Sequence, residues 1–74
     1  MTKLKVLSGK EVCKILMRHG FMEIRQSGSH IVMQKQIQNS TITVPVPNHK
    51  EIKRGTLQSI IRQSGISKDE FSAL

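Results

Sequence analysis

The sequence predicts an α+β fold of the form α-β-β-β-α, with a three-stranded antiparallel sheet and both helices on one face of it. Three observations predict it. Apolar residues recur at helical spacing in two separate stretches, around Val12-Ile15-Leu16 and around Leu57-Ile60-Ile61. Between them, apolar residues alternate instead. That middle stretch is broken by Ser27-Gly28 and by the polar residues 36–40, which divides it into three short strands.

The first helix is expected over about residues 9–19. Ser8 and Glu11 have the spacing of a capping box, and Leu7 and Val12 that of a hydrophobic staple around it. Val12, Ile15, Leu16 and His19 then share one face, and Gly20 suits the left-handed residue that ends a helix. In the first strand, residues 21–26, Met22 and Ile24 are expected on one side with Glu23 and Arg25 on the other. Ser27-Gly28 turns the chain into the second strand, residues 29–35. The third, residues 41–46, is rich in β-branched residues, with Ile42, Val44 and Val46 on one side. Pro45 and Pro47 donate no ladder hydrogen bond, so this strand lies at an edge or ends there.

Residues 48–55 form a basic connector into the second helix. Gly65 suits its end, and Ile66 is placed to pack back on Ile61 as in a Schellman motif. Ser67 and Glu70 repeat the capping-box spacing before Phe71, so a last short helical turn is expected. Short connections make the sheet a meander whose one covered face leaves the other open. This architecture is the one used by double-stranded RNA-binding domains.

With 74 residues the chain makes one domain, 1–74, with a thin core. Nothing of that size houses a deep substrate cavity, and an open face suits a polymer. Twelve Lys and Arg against five Asp and Glu give a net charge of +7, which favours a polyanion, nucleic acid being the commonest. Cys13 is alone, so no intrachain disulfide forms and a reducing compartment follows. No signal-peptide apolar run follows the basic N-terminus, and no stretch approaches a membrane span. A soluble cytoplasmic protein with no membrane association is expected.

His30 is the residue that stands out chemically. It follows a glycine turn, and alternation places it with Val32 and Gln34, opposite Ile31 and Met33. If Ile31 and Met33 are core, His30 faces the open side. Imidazole titrates near neutral pH and can give or take a proton. RNA cleavage needs a base for the 2′-hydroxyl, an acid for the leaving oxygen, or one group serving either step. Gly28 lets backbone come close to a phosphate. By residue chemistry alone, an ordinary surface histidine is the commoner reading of such a position.

Lys50, Lys53 and Arg54, in the connector with His49, are suited to hold phosphates, and the helix start adds free N–H groups; a solvated charge run is as common a reading. Arg25 and Lys35 sit on the hairpin strands and could widen the positive face or simply solubilise the sheet. His19 reads as a core-edge or capping histidine and Cys13 as small core filler. Cys13, His19, His30 and His49 show none of the short spacings of zinc sites, so no metal or other cofactor is expected. No P-loop or nucleophile motif is present. With two Phe and no Trp or Tyr, stacking on unpaired bases is limited.

Several stretches together resemble the HicA toxin family. They are Leu7-Ser8-Gly9-Lys10-Glu11-Val12 with His19-Gly20-Phe21, then Arg25-Gln26-Ser27-Gly28-Ser29-His30. Val44-Pro45-Val46-Pro47-Asn48-His49-Lys50-Glu51-Ile52-Lys53-Arg54-Gly55-Thr56-Leu57 and Ile60-Ile61-Arg62-Gln63-Ser64-Gly65-Ile66 complete the set. The resemblance covers about residues 7–71. It implies a double-stranded-RNA-binding-like fold, an mRNA endonuclease and neutralisation by a HicB-type antitoxin. It places the family's catalytic histidine on His30 and its motif glycine on Gly28. The run Ile31-Val32-Met33 departs from the more aromatic or polar residues frequent there.

The resulting expectation is a metal-independent endoribonuclease, monomeric, with mRNA lying over the open sheet face. Its RNA-binding residues are Gly28, Ser29, Arg25, Lys35, Lys50, Lys53 and Arg54, with His49 as a possible second acid or base. The alternative is a non-catalytic RNA-binding module of the same fold.

Overall fold

The structure, a computed structural model, describes residues 6–72. In chain order the elements are α1 (Gly9–Arg18), β1 (Met22–Ser27), β2 (His30–Ile37), β3 (Ser40–Pro47), α2 (Arg54–Ser64) and α3 (Lys68–Ser72). The α-β-β-β-α order and the antiparallel sheet, β1-β2-β3, are those the sequence predicts.

α1 begins where its cap dictates. The Glu11 N–H donates to Ser8 Oγ at 3.1 Å, and the Ser8 N–H donates to Glu11 Oε1 at 2.9 Å. Two otherwise orphaned donors are thereby satisfied. Val12, Cys13, Ile15 and Leu16 form the buried stripe. His19 caps the other end, its N–H donating to Leu16 O.

Alternation holds on β2 and β3. Ile31 and Met33 are buried beside Val44 and Val46, with Ile42 packed against them. On the opposite face Gln34 Nε2 donates to Thr43 Oγ1 at 3.3 Å. The polar stretch 36–40 is mostly strand: β2 runs to Ile37, β3 starts at Ser40, and only two residues turn the chain. Asn39 makes so tight a turn possible by taking φ 65°, which Asn tolerates better than most residues.

β1 departs from the expected alternation. Its pairing with β2 shifts between Glu23 and Arg25, leaving Ile24 in a bulge. Glu23 pairs with Met33 and Gln26 with Ile31, so both face the helices; Met22 pairs with Gln34 and Arg25 with Val32, on the opposite face. No residue of this outer strand is buried, and Met22 and Ile24 are 69% and 48% exposed. The extra residue resets the phase, which a strict period of two cannot anticipate.

β3 is the other edge, as its prolines required, and ends at Pro47. α1 and α2 both lie on the face bearing Ile31, Met33, Val44 and Val46, where Leu7, Phe21, Ile52, Leu57, Ile60 and Phe71 complete the core. α2 ends at Gly65, φ 73°, whose N–H donates to Ile61 O. Ser64 completes this end in place of a full Schellman motif. Its buried Oγ donates to Ile61 O at 2.8 Å and accepts from the Ile66 N–H at 3.1 Å. α3 is the expected last turn, with Phe71 fully buried. Its capping box is half formed: Ser67 Oγ accepts from the Asp69 N–H at 3.3 Å, while the Glu70 carboxylate turns to His19 Nε2 at 3.2 Å. Among the described residues no helix is long and apolar enough to cross a membrane.

Candidate nucleic-acid interface

His30 opens the central strand of the sheet. It pairs with Ser27 on one side and Pro47 on the other, and its side chain is exposed on the face away from the helices. The two-residue turn Gly28-Ser29 aims it. Gly28 has φ 59°, as the first position of a type II′ hairpin turn requires, and a side chain there would meet nothing within 4 Å. The glycine therefore serves the turn, and the space around it is open to a ligand.

The connector after β3 is tied to this turn. The Asn48 N–H donates to Ser29 O at 2.6 Å, the Gly9 N–H to His49 O at 2.9 Å, and the Ile52 N–H to Leu7 O at 2.8 Å. Ile52 is buried, so the supposed charge run is a packed segment with solvated flanks. Gly9 makes the closest approach. Any side chain there would run into Pro47 O and the Asn48 backbone, so only glycine lets α1 sit this near the end of β3.

These bonds gather the starts of α1 and β2 and the end of β3 at one end of the molecule. There, Ser8, Lys10, Asn48, His49 and Lys50 line a cleft of about 270 Å³. Lys53 and Arg54 follow, exposed, at the start of α2, which has no side-chain cap and no acid in its first turn. The structure thus brings the Gly28-Ser29 turn and the start of β2 at His30 to the segment that carries His49 and Lys50, with Lys53 and Arg54 further along the chain at the start of α2. Arg25 shares the outward face, opposite Val32. Lys35 does not join them. It continues the Ile31-Met33 phase, its stem packs near Gly20, and its ammonium lies 5.9 Å from the centre of the Phe21 ring. Among the described residues the outward phase of β2 and β3 after His30 is uncharged, Val32, Gln34 and Gln36 lying beside Pro45, Thr43 and Thr41.

Lys10 was not singled out by sequence reasoning; its place two residues after the helix-capping Ser8 was the available signal. The other histidine and the cysteine are structural. His19 joins α1 to α3 through Glu70, and Cys13 is buried, its thiol pushed up to about 11 by loss of solvent and by the nearby Glu23 carboxylate. Among the described residues no group of three or more His, Cys, Asp and Glu is placed to hold a metal ion.

Fold and site define a small basic α+β domain with a solvent-facing histidine at the start of its central strand and a lysine-lined cleft at the neighbouring junction. A family model described as the HicA toxin of bacterial toxin-antitoxin systems matches residues 9–66. The chain belongs to the HicA toxin family, whose members are mRNA interferases and which implies a cognate antitoxin as partner. No curated protein is similar enough to match.

Proposed function

We propose that this chain is a metal-independent endoribonuclease that cleaves mRNA in the cytoplasm, with His30 as its general acid/base, and that a HicB-type antitoxin inhibits it. One observation carries the reading: His30 faces solvent at the end of the sheet where the start of the basic 48–54 connector is tied to the Gly28-Ser29 turn. RNA brings its own nucleophile. His30 accepts the 2′-hydroxyl proton as the 2′-oxygen bonds to the adjacent phosphorus; the bond to the 5′-oxygen breaks, and that oxygen takes a proton. The products are a 2′,3′-cyclic phosphate and a 5′-hydroxyl. His49, at the same end, is the candidate to supply the second proton.

The cations hold the flanking phosphates without reading bases. Arg25 borders the path on the outward face; Lys35, behind the sheet, has no part in it. All these groups come from one chain, so a monomer suffices. An acidic antitoxin surface laid over the basic end would cover His30 and displace RNA together, and charge complementarity would speed its docking.

The test compares wild type with His30→Ala in purified form and on induction in bacteria. His30→Ala should cut RNA about 10²–10⁴-fold more slowly, relieve growth arrest, and bind RNA as before. Its exposed side chain makes a change of fold unexpected. Cleavage unchanged by the substitution, or absent from the wild type, overturns the proposal and leaves a non-catalytic RNA-binding module.

A further inference from the structure

We infer that the cleft between the start of α1 and residues 48–50 is a phosphate subsite, in which Lys10 holds the RNA backbone one step from the scissile linkage. This rests on the nuclease reading and adds to it a residue and a position along the strand.

The lining of the cleft sets its chemistry. Two lysines, a histidine, an asparagine and a serine line it, and among the described residues no Asp or Glu does. Such a set suits an anion, with lysine acting as a point charge on phosphate. The Gly9 and Glu11 N–H groups are already spent on His49 O and Ser8 Oγ, so the side chains carry most of the contact. Ser8 Oγ accepts from Glu11 and so retains its own hydroxyl proton to donate. At about 270 Å³ the cleft lies just below the range of small-molecule pockets, roughly 300–1,000 Å³. It has room for a phosphodiester and its sugar. Among the described residues no Phe lines it, and the imidazole of His49 is the one ring beside the lysines.

Its position ties it to the chemistry. His30 pairs with Pro47, and the next residue, Asn48, is both a wall of the cleft and the donor to Ser29 O. Paired residues across an antiparallel ladder lie roughly 4.5–5.5 Å apart. In this proposal a strand with its scissile phosphate at His30, on the outward face, passes round the Ser29–Asn48 junction to place a neighbouring phosphate in the cleft. The uncharged outward phase of β2 and β3 after His30 gives that strand little to follow in the other direction.

The experiment measures binding of a single-stranded RNA oligonucleotide across a range of salt, in a His30→Ala background so that nothing is cut. Lys10→Ala should weaken binding several-fold at low salt and flatten the log–log salt dependence by about 0.7, the loss of one phosphate contact on a single strand. Lys10→Arg should restore the slope, and Lys68→Ala, on α3, should leave it untouched. With His30 intact, Lys10→Ala should raise KM more than it lowers kcat. Inorganic phosphate should shift the amide resonances of Lys10 and of residues 48–50. An unchanged slope in Lys10→Ala, with cleavage still dependent on His30, overturns the subsite and leaves the nuclease standing. A wild type that binds no RNA overturns both.

Discussion

Cys13 and His30 illustrate how position in the fold decides what a reactive side chain does. Both carry groups able to exchange a proton in chemistry. Cys13 lies in the core stripe of α1, where burial and then Glu23 raise its pKa from 9.0 to about 11. The thiolate is the nucleophile, so Cys13 should react slowly with iodoacetamide at pH 8 and readily after unfolding. The same shift sets a pH dependence. Between about pH 9 and 11 the unfolded chain has lost this proton while the folded chain keeps it, so folding stability falls as pH rises through that window. The contribution is fully present below pH 9. Denaturant titrations of wild type and Cys13→Ala should therefore converge on raising the pH from 9 to 11. A constant gap between them would contradict the burial seen here. His30, one residue away from buried Ile31, is solvent-facing only because strands alternate. That much was legible in the sequence. Lys35 was legible by the same rule, since it shares the phase of Ile31 and Met33; its positive charge on a hairpin strand suggested a site residue, and its packing near Phe21 and Gly20 puts it on the helix side of the sheet.

Between elements, the decisive contact is the junction of α1 with the end of β3. Glycine is a poor helix residue, costing about 1 kcal/mol relative to alanine in a helix interior. Gly9 nonetheless opens α1, because Pro47 O occupies the space a side chain would need. Gly9→Ala should thus destabilise the protein despite its better helix propensity, by about 1–3 kcal/mol as for other forced overpacking. Thermal melting checks this, and a rise in Tm would show that the junction yields freely. Because Gly9 also donates to His49 O, the substitution should weaken RNA binding in the fraction that remains folded. The caps at Ser8 and the hairpin at Gly28 were legible because each depends on residues within three positions. The bulge at Ile24 was not. Nothing in residues 22–27 marks where the extra residue falls; the partner strand and the helices above it select the phase.

At the scale of the whole molecule, a net charge of +7 predicts a polyanionic partner but not where it binds. Folding brings Lys10 and Lys50 into one cleft, beside the connector tied to the Gly28-Ser29 turn, while the helix-covered face takes Lys35 and the open face keeps Arg25. RNA affinity should therefore depend on that cleft and connector and on salt, with little regard to sequence. Lys53→Glu combined with Arg54→Glu, both exposed, should weaken binding to unrelated RNA sequences by similar factors and flatten the salt dependence, without loss of helical circular dichroism. Strong discrimination among sequences by the double variant or the wild type would contradict binding through phosphates alone.

The sequence by itself determined the order of elements, the caps and turns that bound them, the outward aspect of His30 and the excess of positive charge. Each follows from residues near one another along the chain, through a hydrogen bond, a positive φ or an alternating pleat. Only the tertiary structure decided that the starts of α1 and β2 meet the connector after β3 in one cleft, and that Lys10 belongs there while Lys35 does not. Those outcomes depend on contacts between residues far apart in sequence. Gly9 against Pro47, Asn48 to Ser29 and the bulge in β1 are selected together when the core closes.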